Sequence, residues 1–120
     1  MLNDLVTVSI PKKPDYISTV RLISSSIANK IGYNIEQIED LKVAMGEACI
    51  LSFGKSIDEE VKIVYNLLKE KLEVVVSWTE SGIEEGDETK ESNMGKMIIE
   101  SLMDEVYYLD NEIKIVKYIE

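Results

Sequence analysis

The segment 38–53, IEDLKVAMGEACILSF, constrains this chain more than any other. Ahead of it stand Asn34 and, three residues on, Gln37, a pair able to form a capping box that satisfies the free amides at a helix start. Ile35, Ile38, Leu41, Met45, Ala48 and Ser52 then recur at helical spacing, which predicts one long amphipathic helix that Gly54 should end. Residues four apart on a helix lie one above the other, so Glu47 and Leu51 would look into one common space. What that space can hold is the functional question.

The rest of the chain arranges itself around this helix. Residues 5–10 alternate loosely and are closed by Pro11 and Pro14, as in a short edge strand. After Asp15, the positions Ile17, Val20, Ile23, Ile27 and Ile31 predict a first helix that Gly32 stops. Residues 61–67 and 72–78 carry strand patterning on either side of Lys69-Glu70-Lys71, a hairpin. From residue 79 to 93 six carboxylates face a single lysine with two interposed glycines, which reads as a mobile acidic loop. A third helix is expected over 94–105 with Asn93 as its N-cap. Strands 106–109 and 112–119 follow, joined by Asp110-Asn111, a pair suited to a tight hairpin turn. The order β-α-α-β-β-α-β-β predicts an α+β fold: a two-layer α/β sandwich, one domain over 1–120, with helices on one face of a mostly antiparallel sheet.

Composition excludes several function classes. One cysteine, Cys49, and no histidine leave no zinc site, catalytic imidazole or internal disulfide, and a buried core role is expected for the thiol. A net charge of −10, from 23 acidic and 13 basic residues, opposes direct nucleic-acid binding; it serves solubility first and, where a partner is bound, favours a basic protein. No apolar run reaches the roughly 18 residues of a membrane span, and residues 1–10 lack the basic flank of a signal peptide, so a cytoplasmic protein is expected.

Three stretches together resemble the anti-sigma-factor serine kinases of the RsbW type, which share the GHKL (Bergerat) histidine-kinase-like ATPase fold. They are Pro14-Asp15-Tyr16 with Val20-Arg21-Leu22 and residues 27–32; residues 38–44 with Glu47-Ala48-Cys49; and residues 99–106, ending near Lys117-Tyr118-Ile119. The resemblance implies a small regulator that binds a sigma factor and uses Mg-ATP to phosphorylate a serine of an antagonist protein. It also implies homodimers, since such proteins are commonly dimeric.

Whether the ATP chemistry carries over depends on individual residues. The family's magnesium-holding Asn, four residues after the Glu, falls on Leu51, which has no oxygen to offer a hard cation. The Asp that accepts from the adenine amino group falls on Trp78, a donor; an alternative alignment takes Glu80-Ser81-Gly82 as a displaced Asp-x-Gly. Of the Gly-x-Gly that meets phosphate ahead of the last helix, Gly95 survives, followed by Lys96. The resemblance therefore implies an anti-sigma-like binding module with no cofactor, in which Leu51 and Trp78 plug the former pocket and Arg21 contacts the sigma factor or antagonist. The alternative is an active serine kinase, with Glu47 as catalytic carboxylate and Gly95 and Lys96 holding Mg-ATP. A third reading makes the acidic segment a decoy for a basic nucleic-acid-binding face.

Overall fold

The computed structural model describes residues 3–79 and 90–119. Strand β1 (Asp4–Pro11) leads through a single turn of 3-10 helix at Pro14–Tyr16 into α1 (Ile17–Lys30), which ends ahead of Gly32 at φ +90°, a backbone state that glycine adopts without strain. The capping box forms as expected: Asn34 Oδ1 accepts from the Gln37 amide at 2.8 Å, and Gln37 Oε1 accepts from the Asn34 amide at 3.0 Å. It opens α2 (Ile35–Lys55). Gly54 does not end this helix but lies inside it. The turn out of the helix falls at Ser56, whose extended backbone breaks the run while its amide still reaches the Ser52 carbonyl at 2.9 Å.

Strands β2 (Glu60–Leu67) and β3 (Lys71–Ser77) form the expected hairpin, and β4 (Glu105–Leu109) and β5 (Glu112–Tyr118) turn about Asp110-Asn111. The sheet order is β1-β2-β3-β5-β4 with every neighbouring pair antiparallel, so β1 lies at an edge. The third helix, α3 (Lys90–Leu102), starts earlier than its apolar spacing indicates. Asn93 is therefore within the first turns and not an N-cap. Met94 and Met97 are exposed, and the buried row is Gly95, Ile99 and Met103. The periodicity was displaced because a glycine, which carries no hydrophobic signal, occupies the inward position. The expected acidic loop, and Glu80-Ser81-Gly82 with it, lies almost wholly outside the described residues.

Alternation of the strands explains the layering. Val61, Ile63, Tyr65 and Leu67 of β2, Leu72, Val74 and Val76 of β3, and Ile113 and Ile115 of β5 are buried and join one core with Leu41, Ala44, Met45, Ala48 and Cys49 of α2. Two polar contacts are built into this interior. Ser24 of α1 and Tyr65 of β2 share a hydrogen bond of 2.7 Å, and the Tyr33 hydroxyl donates to the Lys117 carbonyl at 2.6 Å. At the foot of α3, Lys117 Nζ donates to the Leu102 carbonyl at 3.0 Å, placing a cation at the negative end of the helix.

Burial pushes the phenols of Tyr65 and Tyr33 above the ordinary tyrosine range, and burial likewise raises the Cys49 thiol to about 12. In the unfolded chain these groups release protons at lower pH than in the folded one, so the stability associated with their protonated forms is complete below the unfolded values and is lost as pH rises towards the folded ones. Chemical denaturation between pH 8 and pH 11 should show stability falling steeply above about pH 10, by roughly 1.4 kcal/mol per pH unit for each such tyrosine. Tyr65→Phe should make the fall shallower; an unaltered slope would show that Tyr65 does not contribute.

Candidate functional site

α2 lies between α1 and α3, and both of its flanks meet a neighbour at a glycine. On the α3 side, a Cβ placed on Gly95 would stand 3.1 Å from Glu47 Oε1 and 3.8 Å from Leu51 Cδ2. The pair expected to share one space does so, and α3 closes over it. Glu47 is half-buried beneath this contact, while Leu51 is 7% exposed and belongs to the core.

Gly95 is thus seated within α3 rather than ahead of it, at a position where the helix backbone approaches α2. Lys96 turns towards β4, its Nζ 5.1 Å from the centre of the Tyr108 ring, and the Tyr108 hydroxyl donates to the Lys96 carbonyl at 3.3 Å. Trp78 follows β3 directly; its amide donates to the Asn111 carbonyl at 3.0 Å and its side chain is 7% exposed in the same core as Leu51. The indole Nε1 is buried and finds no hydrogen-bond partner among the described residues.

Arg21 belongs to the opposite flank. It is exposed on α1, yet its guanidinium lies across α2 at Gly46: a Cβ on that glycine would meet Nη2 at 2.7 Å, Nε at 2.9 Å and Cζ at 3.2 Å. Gly46 is buried, and its position under Arg21 is the feature that sequence reasoning missed; the available signal was a glycine in the interior of an otherwise strongly helical run. Cys49, one turn further along α2, has its thiol raised by burial and lowered in smaller part by the charge of Arg21. Among the described residues no cluster of three or more histidine, cysteine or carboxylate side chains could hold a metal ion, and no helix is long and apolar enough to cross a membrane.

The close approach at Gly95 makes a size-dependent prediction. Gly95→Ala needs only the flexible Glu47 carboxylate to swing aside and should be near neutral, whereas Gly95→Leu must separate α3 from α2 and should cost about 2 kcal/mol in urea denaturation. Equal tolerance of both changes would contradict the packing described.

Comparison with known proteins agrees with this architecture. Residues 10–118 match the model of the histidine kinase-like ATPase domain. The chain is 34% identical over 140 aligned positions to the serine-protein kinase RsbW of Listeria innocua, covering 98% of this chain and 89% of that protein. It is 32% identical to RsbW of Bacillus licheniformis, covering 87% and 77%, and 30% identical to RsbW of Bacillus subtilis, covering 86% and 76%. With a five-stranded antiparallel sheet and three α-helices among the described residues, and with these relatives, the chain belongs to the histidine kinase-like ATPase domain family, as an RsbW-type anti-sigma-factor kinase homologue.

Proposed function

We propose that this chain acts in the cytoplasm as a protein-binding regulator that holds a sigma factor or its antagonist protein through a surface containing Arg21, and that it does so without Mg-ATP. The observation that carries the second half is Leu51. By the resemblance it stands where the family has its magnesium-holding Asn, and it is buried and covered by α3 at Gly95. A hard divalent cation needs oxygen donors in near-octahedral array, and Leu51 supplies none. Trp78 supports the same reading, since it presents a donor where an adenine amino group needs an acceptor. Gly95 supports it too: an amide inside a helix is committed to the turn before it and is not free to meet phosphate. Among the described residues, Leu51, Trp78 and Gly95 do not fit the nucleotide.

The first half rests on Arg21, a planar donor array suited to carboxylates, exposed on α1 and without a carboxylate within 4.0 Å among the described residues. An active serine kinase is the competing reading, favoured by the retained Glu47 and by the kinase names of the relatives. Incubating the protein with radiolabelled ATP and a purified antagonist protein separates the two, and transfer of label to a serine of the antagonist would establish the kinase.

Isothermal titration with Mg-ATP up to millimolar concentration should give no saturable heat, and binding at micromolar concentration would overturn the proposal. Arg21→Glu should reduce capture of a purified sigma factor or antagonist at least tenfold, in keeping with loss of an interface arginine, while the melting temperature stays nearly unchanged. Undiminished capture would remove Arg21 from the interface.

A further inference from the structure

Arg21 is the only arginine among 120 residues, in a chain that carries 23 carboxylates. It would be easy to pair, yet no ion pair to it occurs among the described residues, and instead its head lies on Gly46. The three heavy atoms nearest to where a Gly46 side chain would begin all belong to that guanidinium, at 2.7, 2.9 and 3.2 Å. Carbon atoms of real side chains do not approach so closely, so any residue other than glycine displaces the head of Arg21. The atoms displaced are the far end of a flexible chain, and the α2 backbone need not move.

Glycine is a costly choice at this position. Gly46 lies well inside the 21-residue α2, where alanine is the better helix former. Helix stability therefore does not explain it, and neither does backbone conformation, because the positive-φ glycine among the described residues is Gly32. What glycine supplies is a bare stretch of backbone where the Arg21 head can rest.

We propose that Gly46 is a positioning residue for partner recognition: its missing side chain is the seat that holds the Arg21 guanidinium flat across α2, ordered before the partner arrives. This rests on the reading of Arg21 as an interface residue. Arginine has high side-chain entropy, and a head already held in place loses less of it on binding a carboxylate. Arg21 and Gly46 then act as one recognition element contributed by two helices. The partial lowering of the Cys49 thiol by Arg21 agrees with a guanidinium that lies along this flank of α2.

Because the chain has one arginine, protein labelled with 15N-arginine gives a single Nε–H signal that reports the seat without any partner. In the unmodified protein this signal should be displaced from that of free arginine, and in Gly46→Ala it should return towards it, while the melting temperature rises by roughly 4 °C from the gain in helix propensity. Capture of a purified sigma factor or antagonist should weaken about tenfold in Gly46→Ala and also in Arg21→Lys, which keeps the charge but not the plane. In an Arg21→Ala background, Gly46→Ala should cause no further loss. An unmoved signal overturns the seat, and so does failure of Gly46→Ala to fold, since glycine would then serve the backbone. A moved signal with capture intact in Gly46→Ala but lost in Arg21→Ala overturns the positioning role and leaves Arg21 at the interface. Capture intact in Arg21→Ala overturns the interface reading, and the positioning role with it, while the signal still reports whether the seat exists.

Discussion

α2 is held against the sheet by a row of side chains at or near zero exposure, Leu41, Ala44, Met45, Ala48 and Cys49, facing Ile63, Tyr65, Val74 and Ile115 across one core. Burial of this kind contributes about 25 cal/mol for each Å² of apolar surface removed from water, and the rest of the helical layer takes its position from it. α1 and α3 lie on either side and pack on α2 rather than on each other. A glycine at each contact lets both neighbours come close. Gly46 admits the Arg21 head on one flank, and on the other Gly95 of α3 comes down over Glu47 and Leu51.

The two flanks carry different consequences. On the α3 side, Leu51 lies within the core, Trp78 is buried with no hydrogen-bond partner for its indole nitrogen among the described residues, and a helix backbone stands above Glu47. An apolar residue beneath a closely seated helix offers no oxygen ligand to a cation, which is the physical basis of the proposed loss of Mg-ATP. On the α1 side the one arginine of an acidic chain is exposed, with its head on Gly46.

The outer face of the sheet is organised differently and carries little energy. Glu105 accepts from the hydroxyls of Tyr118 and Tyr107 at 2.6 and 2.7 Å, and Lys71 and Lys114 lie over those rings while both approach Glu73. The two phenol hydrogen bonds hold the Glu105 carboxyl below its usual range. Solvent screens these pairs, so they add little to stability. They order the β4–β5 edge without bearing on either flank of α2.

Much of this fold was legible in the chain because its signals are local. The Asn34 and Gln37 caps, the alternation of 61–67 and 72–78, and the Asp110-Asn111 turn each act over a few residues, and each appears where expected. Family membership was legible for a similar reason, since ordered short stretches such as Glu47-Ala48-Cys49 need no knowledge of contacts. The start of α3 and the end of α2 were misplaced where a glycine was taken as punctuation or passed over. Glycine has no side chain to announce which way it faces. By itself the sequence determined which elements form, in what order, and that Leu51 cannot bind a metal ion. Only the tertiary structure decided that Gly95 is a packing contact over Glu47 and that Gly46 lies beneath Arg21, because what a bare backbone does depends on which distant side chain comes to rest on it.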